Sequence, residues 1–119
     1  MATIPDIRRA ALSLPEAAEA THMGHPDFRV RNKIFASLGL PDAAWGMVKL
    51  TPKQQEMLMA AEPAAFKPAA SAWGRRGSTH VRLAAVDRTI LKSALTMAWR
   101  NVAPKTLVAK LRGAGHLPV

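Results

Sequence analysis

The stretch that decides the fold is HPDFRVRNKIFASL, residues 25–38. Its first half, Phe28–Arg31, alternates apolar and basic residues, and a second apolar run, Ile34–Leu38, follows the pair Asn32-Lys33. Alternation with a period of two is typical of a strand that buries one face, and Asn tolerates the left-handed backbone of a tight turn. The stretch therefore predicts a β-hairpin with Val30 facing the core and Arg29 facing the other side.

Further strand patterns lie on both sides of this hairpin. Glu19–Met23, Trp45–Leu50 and Thr79–Ala84 are predicted strands, and they give a sheet of about five strands. Because sequential strands here are joined by short turns, we expect the sheet to be antiparallel. Residues 64–77, with two glycines and Pro68, are predicted to be irregular.

Helical signals frame the strands. An opening helix is predicted from Ile4 and Ile7, and Thr51-Pro52-Lys53-Gln54 has the pattern of a capping box with Pro at the first helical position. Asp87 is a good N-cap for the longest helix, and Lys105–Arg112 predicts a short last one. The prediction is a single α+β domain over residues 1–119, a two-layer sandwich with the helices packed on one face of the sheet.

Composition excludes several classes of protein. The 119 residues include no cysteine, which rules out a disulfide scaffold, a thiolate zinc site, an iron–sulfur cluster and a cysteine nucleophile. No apolar run approaches the roughly 20 residues of a membrane helix, and the first eleven residues contain charges where a signal peptide is apolar. We therefore expect a cytoplasmic protein with no membrane partner.

The net charge of +9 is unevenly distributed. Residues 1–60 hold seven basic and six acidic residues, whereas residues 61–119 hold ten basic and two acidic ones. Such asymmetry indicates a polyanionic partner such as nucleic acid, or an acidic surface, although it also suits a basic proteome or a general solubility charge.

One candidate site is the sheet face opposite the helices. If Val30, Val48 and Val81 face the helices, the alternation directs a set of cationic or titratable side chains to the open face. They are Arg29, Arg31, Lys49, His80 and Arg82, with Lys33 at the hairpin tip and Phe35 and Met47 nearby for stacking. A face of this kind can track phosphates and stack bases, although polar groups are also normal on an exposed sheet.

A second candidate is the segment Trp73-Gly74-Arg75-Arg76-Gly77. Its two arginines can bind phosphate through bidentate guanidinium groups, next to an indole. The alternative is that Trp73 packs at the edge of the core while Arg75 and Arg76 are merely solvated.

Signals for metal binding and catalysis are weak. His22 and His25 are two possible ligands, and Glu19 and Asp27 lie close in sequence, yet the spacing matches no known zinc pattern. There is no nucleophile elbow and no recognised phosphate-binding glycine loop. We therefore expect no metal, no cofactor and no catalytic residues, and a binding protein rather than an enzyme.

Residues 22–36 resemble the GHPDFRVRGKIFA signature of the MmcQ/YjbR family of small bacterial proteins. Three further blocks, at residues 48–52, 72–77 and 98–105, resemble later family blocks in the same order. Asn32 stands in place of the commoner Gly, and Ser78 stands where members often carry Trp. The resemblance implies a frataxin-like α+β sandwich and a DNA-binding role.

Two functions follow as hypotheses. The first is a nucleic-acid-binding protein that uses the basic sheet face and the Trp73–Gly77 segment. The alternative is a protein-interaction or small-ligand module without catalytic activity. A deep apolar pocket near Trp73 would favour a small ligand, and a broad, shallow, positive face would favour nucleic acid. The choice between DNA and RNA, and the oligomeric state, stay open.

Overall fold

The computed structural model describes residues 2–39 and 42–114. Its helices are α1 (Ile4–Leu12), α2 (Pro52–Ala61), α3 (Ser71–Arg75), α4 (Arg88–Val102) and α5 (Lys105–Ala114). Its strands are β1 (Ala17–His22), β2 (His25–Val30), β3 (Lys33–Leu38), β4 (Trp45–Lys49), β5 (Phe66–Pro68) and β6 (Ser78–Arg82). Within the described residues, no helix has the length and apolar character needed to cross a membrane.

All six strands form one antiparallel sheet in the order β1-β2-β3-β4-β6-β5. Val30, Val48 and Val81 are completely buried, as predicted, and α4 packs across β3 and β4 with Leu95 and Trp99 inside. The predicted α+β class is therefore confirmed, and the helix-covered face of the sheet contains the core.

The predicted helix starts are also confirmed. The Thr51 hydroxyl accepts a hydrogen bond from the Gln54 backbone N–H at 3.2 Å, and Gln54 Oε1 accepts one from the Thr51 N–H at 2.9 Å. Asp87 accepts hydrogen bonds from the backbone of Thr89 and Ile90 at the start of α4. These side chains satisfy N–H groups that a helix leaves without partners in its first turn.

The prediction of an irregular segment over residues 64–77 is wrong. It contains the edge strand β5 and the five-residue helix α3, so the sheet has six strands rather than about five. A strand of three residues that ends at Pro68 is too short to show a period of two, which explains why the pattern missed it. β1 also begins earlier than predicted, at Ala17 rather than Glu19.

The central hairpin differs from the prediction by one residue. Its turn is formed by Arg31 and Asn32, with φ of 51° and 66°, rather than by Asn32-Lys33. Two consecutive positive φ values are the geometry of a tight type I′ turn. The register between β2 and β3 also shifts at Phe28/Arg29, where Phe35 forms a bulge. Phe35 is fully buried, so it does not lie on the open face as predicted.

Candidate functional site

A row of side chains crosses the middle of the sheet on the face opposite α4. Cross-strand pairing aligns Asp27 with Ser37, Ser37 with Met47, Met47 with His80, and His80 with Lys67. Directly paired residues in an antiparallel sheet point to the same side, so these five side chains share the open face. The predicted positions of Met47 and His80 on this face are correct.

Trp73 projects from α3 at one border of this row. The residue is 62% exposed, which is unusual for a tryptophan, because its side chain could bury a large apolar area. The sequence alternative in which Trp73 packs at the core edge is therefore wrong.

The two glycines that flank Arg75 and Arg76 have a packing role. A Cβ added at Gly74 would lie 1.9 Å from the Ala69 carbonyl oxygen, and one at Gly77 would lie 2.0 Å from the Leu50 carbonyl oxygen. Gly77 also has a φ of 113°, a conformation that side chains disfavour. These glycines let α3 pack tightly against neighbouring backbone, and this packing sets the position of Trp73.

Gln55 holds α3 from the side of α2. Its Nε2 lies 3.1 Å from the carbonyl oxygens of Gly74 and Ser78 and from Thr79 Oγ1. The Thr79 hydroxyl in turn donates to the Gly77 carbonyl at 2.7 Å. Sequence reasoning missed Gln55, because only the fold brings residues so distant in the chain together.

Two hollows adjoin Trp73 on the open face. We call the first the β2 hollow; its volume is about 300 Å³, and its lining residues are His22, His25, Asp27, Ile34, Ser37, Met47, Lys49 and Trp73. We call the second the β6 hollow; its volume is about 220 Å³, and its lining residues are Ser37, Met47, Ala69, Ala70, Trp73, Ser78 and His80. Ser37, Met47 and Trp73 line both, so these side chains lie between the two hollows.

Trp45 lies among three cationic or titratable side chains on the same face. Lys67 Nζ is 4.5 Å from the Trp45 ring centroid, and the Arg82 guanidinium carbon is 5.8 Å from it. Both distances are within the range of a cation–π interaction. The His80 ring meets Trp45 edge-on, with centroids 6.1 Å apart. Sequence reasoning missed Trp45 and Lys67, although the strict alternation of β4 could have placed Trp45 beside Met47 on the open face.

Partial burial lowers the pKa of His80, and the positive charge of Lys67 lowers it further, against a smaller opposing effect of the Gly46 carbonyl. Its Nδ1 atom is buried and has no hydrogen-bond partner within the described part of the chain. Burial and the nearby Lys67 charge both disfavour the imidazolium form of His80. The side chain therefore adds little charge to this face near neutral pH.

Two of the predicted arginines are bound to carboxylates. Arg29 donates to both oxygens of the buried Asp27 carboxylate, at 2.8 and 3.1 Å. Arg31 donates to both oxygens of Glu16, at 2.5 and 3.1 Å, and this hydrogen bonding lowers the pKa of Glu16. Arg31 also belongs to the turn rather than to the strand face on which the sequence interpretation placed it. Both bidentate pairs reduce the charge available to a ligand.

The other predicted cations make no salt bridge within the described residues. They are Lys33, Lys49, Arg75, Arg76 and Arg82. Lys33 pairs with Val30 in the sheet, so it extends from the helix side of the hairpin rather than from the open face. Lys49 lines the β2 hollow, and Arg75 and Arg76 are exposed at the end of α3.

His22 and His25 face each other across the β1–β2 turn. Among the described residues, no group of three His, Asp or Glu side chains is arranged to hold a metal ion. The nearby Asp27 is already bound by Arg29.

Comparison with models of protein families identifies the family of this chain. The YjbR model matches residues 12–101, which include all six strands, α3 and most of α4. This chain belongs to the YjbR family. The YjbR match therefore covers the whole open face, including Trp73, Trp45 and both hollows.

A solved relative supports the YjbR fold. The crystal structure of Deinococcus radiodurans protein DR2400, described as a DUF419 domain, aligns with a TM-score of 0.73 and 21% sequence identity. The alignment covers 99% of this chain and 91% of that one. At this level of identity the likeness concerns the fold alone. A search of curated proteins finds no match.

Proposed function

We propose that this protein binds nucleic acid, such as DNA, through the open face of its sheet. The observation that carries the proposal is the combination of two indoles, Trp45 and Trp73, with cations on a single face. Proteins that bind nucleic-acid strands combine aromatic side chains, on which bases stack, with positive groups that follow the phosphates.

Only some of the basic residues predicted from the sequence contribute cations to this surface, and Lys67 is added to them. Lys67 and Arg82 flank Trp45, and Lys49 lines the β2 hollow. Arg75 and Arg76, at the end of α3, add positive charge beside Trp73 in the sequence. His80 belongs to the surface as a neutral ring that lines the β6 hollow. Arg29, Arg31 and Lys33, the remaining members of the predicted set, have at most a secondary role.

The proposal is tested by fluorescence anisotropy with labelled oligonucleotides in salt between about 50 and 200 mM, where a phosphate-dominated interaction weakens steeply. We expect the double variant Lys67→Ala with Arg82→Ala to weaken binding and to reduce the log–log salt slope by about 1 for each residue. The variant Arg75→Ala with Arg76→Ala should act in the same direction. Both pairs are exposed, so the variants should keep their thermal stability.

The matched control is Lys92→Ala with Arg100→Ala, which removes two exposed charges from the helix side of the molecule. If the proposal is correct, this control has a much smaller effect on the salt slope. Absence of binding even at low salt would overturn the proposal, as would an equal loss in the control.

The two hollows favour a small flat ligand as a second candidate function. The β2 hollow, at about 300 Å³, lies at the lower limit of the usual size of small-molecule sites. Saturable binding of free nucleosides or similar heteroaromatic compounds, together with no binding of oligonucleotides, would support this candidate instead.

A further inference from the structure

We propose that the β2 hollow and the β6 hollow receive two unpaired bases of one strand, which stack beside Trp73, so that the partner is single-stranded nucleic acid. This inference rests on the proposed function and specifies its substrate class. It starts from the arrangement of the hollows: they share Ser37, Met47 and Trp73 and then diverge in opposite directions across the sheet.

The lining of the hollows suits the flat faces of bases. Trp73 supplies an exposed indole, Met47 adds an apolar side chain to both hollows, and Ile34 adds a further apolar side chain to the β2 hollow. A nucleobase can stack on an aromatic side chain whatever its identity, because every base has a π-face. Polarizable methionine sulfur also makes favourable contacts with aromatic rings.

The charges at the β2 hollow suit an uncharged ring attached to a phosphate chain. The carboxylate of Asp27 is almost completely buried and is bound in two places by Arg29, so this pair presents no net charge to the β2 hollow. Lys49 lines the same hollow, and within the described residues it makes no salt bridge. A base therefore meets no net charge from the Asp27–Arg29 pair, while Lys49 remains available to its phosphate.

Duplex nucleic acid cannot use these hollows without opening. A paired base exposes its edge in a groove, whereas its faces are covered by the neighbouring base pairs. Extruding a base from a duplex costs a few kcal/mol of free energy, and the bases of a single strand are already unpaired. The surface should therefore prefer single strands, and the preference should depend on Trp73.

The test compares a single strand of about 12 nucleotides, within the range of known single-strand sites, with a duplex of the same sequence. We expect Trp73→Ala to weaken single-strand binding about 5- to 150-fold for each base that stacks beside the indole, and to change duplex binding little. Trp73→Phe should keep most of the affinity, because a ring remains. Met57→Ala, which changes an exposed apolar residue on α2, is the matched control and should have no effect.

A second probe tests the number of bases. It is a 12-unit abasic strand that carries thymine at two adjacent central positions, compared with a fully abasic strand and with one that carries a single thymine. For the wild-type protein each thymine should raise the affinity, and for Trp73→Ala neither should. The exposed position of Trp73 makes a folding defect in this variant unexpected, and circular dichroism checks that it folds.

The outcomes separate the inference from the proposed function. If single strand and duplex bind equally and both weaken in Lys67→Ala with Arg82→Ala but not in Trp73→Ala, nucleic-acid binding stands and the two-base site is wrong. If neither form binds at low salt, the proposed function itself is wrong. If thymidine monophosphate binds as tightly as the strand, the hollows form a small-ligand site and the inference is overturned.

Discussion

The β2 and β6 ends of the sheet carry similar numbers of cations but use them differently. At the β2 end, Arg29 and Arg31 each bind a carboxylate through two hydrogen bonds. At the β6 end, Lys67 and Arg82 lie over the ring of Trp45. The arginines at the β2 end are bound inside the fold, Arg29 to a carboxylate of its own strand and Arg31 to the residue before β1. The cations at the β6 end remain in contact with an aromatic surface and solvent.

This difference shows that the number of basic residues on a face does not measure the charge available to a ligand. A guanidinium that is bound to a carboxylate in a bidentate pair has donated its best-placed hydrogens. A cation over an indole keeps its charge, since the quadrupole of the ring attracts it without neutralising it. Variants of the arginine pairs and of His80 test this contrast, and a variant of Gly74, whose packing sets the position of Trp73, has the largest expected effect on stability.

The largest effect is expected in α3, where Gly74 permits a close approach of the helix to the Ala69 carbonyl. Gly74→Ala should lower the free energy of unfolding by about 3 kcal/mol, because its Cβ would overlap the Ala69 carbonyl and force the backbone to move. Urea denaturation measures the change. The control is Gly24→Ala, which has a positive φ of 81° but open space around its Cβ, and it should lose only about 1–2 kcal/mol. Equal losses would contradict a steric role for Gly74.

A smaller effect is expected when the arginine pairs of the β2 end are broken. Asp27→Asn should lower Tm by several degrees, because it leaves a charged group beside a buried amide. It should also strengthen binding to nucleic acid, because Arg29 becomes available. Glu16→Gln frees Arg31 in the same way but removes an exposed pair, so Tm should hardly change.

Differential scanning fluorimetry and anisotropy measure these two variants. Glu56→Gln on α2 controls for the change in net charge, since Glu56 is exposed and makes no salt bridge within the described residues. If Asp27→Asn binds nucleic acid no more tightly than Glu56→Gln does, the salt bridge to Asp27 does not keep Arg29 from the ligand. The contrast between the two ends of the sheet is then wrong.

The smallest effect concerns pH at the β6 end. Burial and Lys67 hold the pKa of His80 below 6.5 in the folded protein, so the unfolded chain binds more protons as the pH falls below about 6.5. Stability should therefore fall with decreasing pH, and His80→Gln should lose that part of the dependence. Thermal melts of both proteins between about pH 7 and pH 5 measure the difference in the pH dependence of their stability. Because the other histidines are present in both proteins, their contributions cancel in this difference. Identical pH profiles of stability for the two proteins would show that folding does not lower the pKa of His80.

Much of the fold could be predicted from sequence because the signals are local. Val30 and Val81 lie between polar residues and Val48 lies between Met47 and Lys49, and each valine is buried on the helix face. Thr51 and Asp87 cap helices because their side chains reach backbone groups only two or three residues away. Such interactions need no knowledge of which strands are neighbours.

The composition of the site was harder to predict because it depends on pairing. Asp27 and Arg29 are two residues apart on one strand, so their contact could have been inferred from the alternation alone. Arg31 and Glu16 meet only because Ala17 pairs with Val30, which brings the adjacent positions together. Trp73 depends on a five-residue helix that no periodicity could show.

The bulge at Phe35 determines which side chains can meet on the open face. In a regular strand, residues separated by an odd number of positions point to opposite sides of the sheet. Ile34 and Ser37 are three positions apart, yet both line the β2 hollow, because the extra residue between them changes the parity of the strand. Deleting one residue between Ile34 and Ser37 would therefore turn one of these two side chains toward the core. An insertion or a deletion in β3 would damage the site far more than most substitutions of its residues.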